Sequence, residues 1–205
     1  IYMLLKVFSD FNIPRLTFQH ANEAYKVAPE LAAFGATASV FADWWAYKLE
    51  VYYSTAYNAA ILHENGVLTS INSDSGELIR HLFHEAAKTQ KYGNLSDDEA
   101  LAMITLNPAK QLGIDNRVGS IEVGKDADIA IFDNHPLSIY AVPQMTFVDG
   151  VKYFDINNDK ADQRIYIDPE SSIEEVTLFE KMDYNHRCME GAAIFFGQNL
   201  INHQH

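Results

Sequence analysis

His20 and Asp74 are the two residues of this sequence whose types and placement fit chemistry at a metal ion. His20 directly follows the apolar run Leu16-Thr17-Phe18-Gln19, and Asp74 directly follows Val67-Leu68-Thr69-Ser70-Ile71-Asn72. In folds built on parallel strands, catalytic groups gather at the C-terminal strand ends, because the loops there converge on one face. The 54 positions between them (74 minus 20) leave room for two strand–helix units of roughly 25–30 residues each. The pair is therefore expected two strands apart on one rim. An imidazole and a carboxylate so placed are ordinary ligands for zinc or a similar divalent ion. Spacing alone also allows a plainer reading, with His20 bonded to a loop carbonyl and Asp74 capping the next helix.

Other candidates are weaker. Asp43-Trp44-Trp45 follows the second strand on the same rim, where Trp44 and Trp45 would wall a substrate pocket and Asp43 would orient a ligand, or all three would pack a loop. His81 and His84 are three apart on one helix, a spacing that binds metal less often than it faces solvent. Ser73 and Ser75 flank Asp74, with no histidine base near in sequence, and turn chemistry accounts for both. His186, Cys188, His203 and His205 crowd the C-terminal stretch without a ligand spacing. The Glu174-Glu175 pair reads as the solvated first turn of a helix.

The elements that position these residues alternate up to about residue 90. A helix over 1–9, with Ile1, Leu4, Leu5 and Phe8 on one face, precedes the strand at Leu16–Gln19. A helical stretch ends near Gly35, with Pro29 suited to a first turn. Thr37–Phe41 reads as a strand, 42–53 as an irregular aromatic segment and Ser54–Glu64 as a helix. Val67–Ile71 is a third strand and Glu77–Lys88 a third helix, with Leu78, Ile79, Leu82, Phe83 and Ala86 facing inward. Strands separated by helices mean parallel units, in either a barrel or an open doubly wound sheet. Ser96-Asp97-Asp98-Glu99 is a capping box. Asn107-Pro108 reads as cap and first turn of a short helix that stops at Gly113. Beyond it, Val118–Val123 and Asp128–Phe132 read as strands, and Asp149-Gly150 joins Met145–Val148 to Val151–Phe154 as a hairpin. Three segments result: 1–113 with the parallel units, 114–155 with a small β module, and 156–205, a polar linker with a helix after Pro169.

Fifteen basic and 28 acidic residues among 205 give a net charge of −13. Such a surface repels nucleic-acid phosphates and anionic lipid, so neither is expected as a partner. The single cysteine excludes an internal disulfide. No apolar run approaches the ~18–20 residues that a membrane span needs, and the compartment is not readable. Because the chain opens inside an amphipathic helix, without an initiator methionine, it reads as a fragment.

The stretch Val118-Gly119-Ser120-Ile121-Glu122-Val123-Gly124-Lys125-Asp126-Ala127-Asp128-Ile129-Ala130-Ile131-Phe132-Asp133 closely resembles the signature that follows the barrel in amidohydrolase-superfamily enzymes. Thr105-Leu106-Asn107-Pro108-Ala109-Lys110-Gln111-Leu112-Gly113 looks like the helix before it. Ser70–Ser75 is similar to the end of barrel strand eight and Thr17–His20 to the end of strand six. The resemblance covers roughly residues 1 to 155, and the nearest branch is that of the imidazolonepropionase-related enzymes. It implies an α/β fold, the C-terminal portion of a (β/α)8 TIM barrel (strands six to eight) followed by part of a small β-sandwich module. It also implies one or two divalent metal ions, zinc the first choice, with His20 and Asp74 as ligands and Asp74 as the proton shuttle in hydrolysis of an amide, cyclic amide or dipeptide bond. Four of the six usual ligand positions fall on strands that this chain does not carry. The chain alone is therefore expected to be inactive, and to self-associate or to need a partner bearing the missing N-terminal half. A non-catalytic scaffold that kept the fold and lost the metal is the alternative.

Overall fold

The computed structural model describes residues 1–158. The helix expected after Pro169, the Glu174-Glu175 pair and the residues His186, Cys188, His203 and His205 lie outside the described residues. Two three-stranded sheets organise the rest. The first is parallel and joins β1 (Thr17–Phe18), β2 (Thr37–Val40) and β3 (Thr69–Ile71) in that spatial order. Thr17 stands opposite Thr37, and Ala38 opposite Thr69. The connections run through α2 (Ala28–Phe34) and α3 (Asn58–Glu64). Pro29 sits in the first turn of α2, and Gly35 ends it at φ 78°, a left-handed stop that costs glycine nothing. β2 is the buried centre: Ala38 and Val40 are fully buried, and Leu31, Leu62 and Met103 pack around them. α1 (Tyr2–Asp10) adds Leu5 to this core.

α4 (Leu82–Gly93), α5 (Asp97–Ala102) and α6 (Leu106–Leu112) follow β3. The capping box forms as read: the Ser96 hydroxyl accepts from the Glu99 N–H, and the Glu99 carboxylate accepts from the Ser96 N–H at 2.8 Å. Gly93 lies so close to α3 that a Cβ there would meet that of Ala60 at 2.3 Å. Gln111 of α6 stitches the parallel sheet from below, its amide donating to the carbonyls of Ala38 (3.0 Å) and Leu68 (3.1 Å) while its oxygen accepts from the Ser70 hydroxyl.

The second sheet is antiparallel, with β4 (Ile129–Phe132), β5 (Pro143–Val148) and β6 (Val151–Asp155) in order. Asp149 and Gly150 turn β5 into β6 with φ of 50° and 75°, positive at both central residues as a tight hairpin needs.

Three local expectations are corrected. Val118–Val123 is not a strand: Ser120, Glu122 and Lys125 bond one another and close a loop, from which Ile121 and Val123 point outward, 85% and 109% exposed. Asn107 is not a helix cap, since Thr105 holds that position. Buried, Asn107 instead donates to the Thr69 carbonyl at 2.8 Å, and tertiary demand has overridden its local preference. Ile79 is 63% exposed because the helix before α4 begins as a 3-10 turn, Leu78–His81, whose three-residue period rotates that position outward.

The free edges of the parallel sheet differ. On β3 the Ile71 N–H already bonds the Met103 carbonyl at 2.9 Å, and Asn107 occupies the Thr69 carbonyl. On β1 no further strand pairs among the described residues.

Candidate metal centre

His20 and Asp74 leave the C-terminal ends of the sheet's two outer strands, with β2 between them. Because the strands are parallel, both ends open on one rim, and the side chains converge: His20 Nε2 lies 3.8 Å from Asp74 Oδ2. Both are open to the cleft, 45% and 58% exposed. Both also hold positive φ, 53° and 43°, a region sparsely used by non-glycine residues and tolerated where surrounding bonds fix it. The fixing bonds come from β2. The Ala21 N–H donates to the Ser39 carbonyl at 3.1 Å, the Asn72 N–H to the Val40 carbonyl at 2.9 Å, and the Asn72 amide to the Ser39 hydroxyl at 2.9 Å. Beyond Asp74, the Ser75 hydroxyl accepts from the N–H groups of Glu77 and Leu78 and starts the following turn.

The rim encloses a cleft of about 440 Å³ whose lining includes His20, Asp74, Phe41, Tyr47, Lys48 and Glu50. Phe41 stacks on the His20 ring at 5.1 Å, Trp44 stacks on Phe41 at 4.3 Å, and Tyr47 meets Trp44 edge-on. The imidazole therefore has one apolar wall, which limits its rotation. Lys48 Nζ pairs with Glu50 at 2.9 Å; that hydrogen bond raises the ammonium's pKa and lowers the carboxylate's.

The other sequence candidates fall as follows. Neither Trp44 nor Trp45 is among the cleft-lining residues: Trp44 backs Phe41, and Trp45 is 66% exposed. Asp43 is engaged by α4. Both its oxygens accept from Lys88 Nζ, at 3.0 and 3.1 Å, which fastens the loop to α4. His81 and His84 stack at 5.6 Å away from this cleft, and burial, first of all, lowers the pKa of His84. Sequence reasoning missed Phe41, Tyr47, Lys48 and Glu50. The strand-end rule that marks His20 and Asp74 applies equally to Phe41, whereas nothing in the sequence shows which loop residues after β2 turn inward.

An imidazole nitrogen and a carboxylate oxygen are the right donors for zinc. Two ligands of one tetrahedral zinc stand about 3.3–3.4 Å apart at bond lengths of about 2.0–2.1 Å, so the pair needs a shift of about half an ångström to share an ion. Among the described residues, no group of three or more His, Cys, Asp and Glu side chains gathers to hold a metal. The chain thus fits as a contributor of two ligands.

Residues 50–165, more than half of the chain, match the Amidohydrolase family model. The amidohydrolase tasK of Hapsidospora irregularis is 37% identical over 153 residues, 72% of this chain and 15% of that protein. Imidazolonepropionase of Shewanella frigidimarina is 59% identical over 57 residues, 28% of this chain and 13% of that protein. The crystal structure of an amidohydrolase from Thermotoga maritima superposes with a TM-score of 0.69 at 31% identity, over 75% of this chain and 40% of that one. The chain spans less than half the length of each of these relatives.

Proposed function

The chain belongs to the amidohydrolase family, and we propose that it carries the rim of barrel strands six to eight of a metal-dependent hydrolase that cleaves carbon–nitrogen bonds. The observation that carries this reading is the 3.8 Å approach of His20 and Asp74 at the ends of two parallel strands. It joins one imidazole and one carboxylate beside a cleft in a chain of this family.

In this reading His20 and Asp74 would hold one zinc or similar divalent ion, and the remaining ligands would come from strands outside this chain. When bound, such an ion would lower the pKa of water towards ~7 and polarise the scissile carbonyl. Asp74 takes the proton that the attacking water releases and passes it to the leaving nitrogen, so that a C–O bond forms as the C–N bond breaks. An ionised carboxylate is acceptor-only, and can hold the ion and receive that proton. Phe41 and Tyr47 exclude water from one side of the carbonyl, and Trp44 stiffens Phe41 from behind. The substrate is an amide, a cyclic amide or a dipeptide.

The 205-residue chain alone holds metal weakly and does not turn over. The edge of β1, unpaired among the described residues, and the outward Ile121, Val123 and Tyr153 favour association with a second copy or with the complementary strands. Among the described residues no helix is long and apolar enough to cross a membrane.

The test mixes the chain with a polypeptide bearing the preceding barrel strands of an amidohydrolase. Light scattering, zinc content and hydrolysis of a panel of dipeptides and cyclic amides are followed before and after. Zinc uptake and hydrolysis should both appear on mixing. Zinc-free, inactive assemblies would favour the non-catalytic scaffold, and an active monomer without the added strands would remove the need for a partner.

A further inference from the structure

Asn58 is a fully buried amide at the first residue of α3, 2% exposed. A buried amide is unfavourable unless its hydrogen bonds are made, and both of its bonds go to another segment. Asn58 Nδ2 donates to the Ala21 carbonyl at 2.9 Å, and Asn58 Oδ1 accepts from the Tyr25 N–H at 3.0 Å. These two bonds grip both ends of the segment that leaves His20. The Ala21 N–H is held in turn by the Ser39 carbonyl, so the residue after His20 is fixed on both sides, from α3 and from β2.

That double hold matters because of the His20 backbone. At φ 53° the residue sits where a side chain with a Cβ stays only if its surroundings over-determine it. The left-handed bend turns the chain at the rim while the imidazole remains beside Phe41 and Asp74. Released from Asn58, the 21–25 segment loses the α3 half of this hold, and the Ser39 bond to the Ala21 N–H is left to oppose relaxation of the bend. Any relaxation changes the His20–Asp74 separation, to which a shared metal is sensitive.

We propose that Asn58 is a positioning residue, which acts through the Ala21–Tyr25 segment to hold His20 in its left-handed conformation facing Asp74. The metal-binding part of this inference rests on the function proposed above; the backbone part does not. Residues that orient a metal ligand without touching the metal commonly alter affinity 10–100-fold when replaced.

The test uses the full 205-residue chain with Asn58→Leu, which removes both bonds, and Asn58→Asp, which keeps the acceptor for Tyr25 and loses the donor to Ala21. Asn107→Leu is the control, since Asn107 is another buried asparagine whose bond goes to Thr69. Two quantities are read in folded protein: the φ-sensitive backbone coupling and Cα shift of His20 by NMR without metal, and zinc affinity by chelator competition. Both Asn58 variants should move His20 out of the left-handed region and weaken zinc binding by about 10–100-fold. Asn107→Leu should do neither at a comparable loss of melting temperature, and Asn58→Asp stands alone if Asn58→Leu fails to fold. In a His20→Ala background, Asn58→Leu should cause no further loss of zinc affinity. An unchanged His20 conformation, an equal effect of Asn107→Leu, or a loss that persists without His20 would each overturn the proposal. If the unmodified chain takes up no zinc, the metal reading falls by itself and the His20 conformation alone decides the role of Asn58.

Discussion

His20 and Asp74 share a backbone conformation as well as a cleft: each is left-handed, at φ 53° and 43°, on either side of β2. A non-glycine residue in this region costs of order 1–3 kcal/mol, and such residues cluster at functional sites. Here the outlay falls on the two side chains that face each other across the rim, and Ser39 of the middle strand bonds the loops that carry both.

Asp74→Asn is expected to lower turnover by at least about 100-fold, the contribution of a positioned proton-transfer group, in an assembly that supplies the remaining strands. The amide is isosteric but cannot take up the proton. Circular dichroism and melting temperature should match the unmodified chain, and turnover within a few-fold of it would remove Asp74 from the mechanism.

Lys88 is expected to matter for folding and for the loop after β2. Its ammonium bonds both oxygens of Asp43 and also Glu85 at 2.8 Å, whose side chain is only 2% exposed. Lys88→Met leaves a buried carboxylate without its counter-charge, at a cost of roughly 1–3 kcal/mol after allowance for the partial exposure of Lys88. Urea unfolding measures this, and an additional Glu85→Gln change should recover part of the loss.

Glu99 contributes acid-sensitive stability. The Ser96 hydroxyl first, then the Ser96 N–H and His63, hold its carboxyl at about 2, against an ordinary value of 4.5. A carboxyl lowered in the folded state adds stability that is complete above the ordinary value and lost as pH falls through the folded one. Melting temperature should therefore decline between pH 4.5 and about 2, more steeply in the unmodified chain than in Glu99→Gln. Equal slopes would show that the capping box carries no such linkage.

Much of the scaffold was legible because periodicity and punctuation are local. Gly35 and Gly113 end helices where the sequence places them, Ser96 and Glu99 close their box, and Asp149-Gly150 makes its turn. His20 and Asp74 were found as strand-end residues, a rule that needs only strand order and parallel sense. What failed needed three-dimensional information. Val118–Val123 has the composition of a strand but is closed into a loop by Ser120, Glu122 and Lys125. Asn107 has a capping residue's chemistry but is spent on Thr69. The partner of Asp43, Lys88, was hidden because it lies 45 positions away. Asn58 gave no signal at all, as its two bonds cross 33 and 37 positions.

Gly119, in the stretch that resembles the post-barrel signature, is expected to tolerate no side chain. Its φ is 92°, and a Cβ would lie 2.8 Å from that of Ala109 and 3.1 Å from the Thr105 carbonyl oxygen. Gly119→Ala therefore combines backbone strain with overpacking, about 2–4 kcal/mol together. Gly124, at φ 97° with nothing within 4 Å, carries the strain alone. Gly124→Ala should cost less, and equal losses in urea unfolding would refute the packing argument.

The most direct measurement of the central claim is zinc affinity in a two-by-two set: the unmodified chain, His20→Ala, Asp74→Asn and the double variant, each checked for fold. If the two side chains share one ion, each single change weakens binding at least about tenfold, and the double variant loses little beyond the worse single. Zinc affinity that is unchanged in either single variant, or losses that multiply in the double, would contradict a shared metal at this rim.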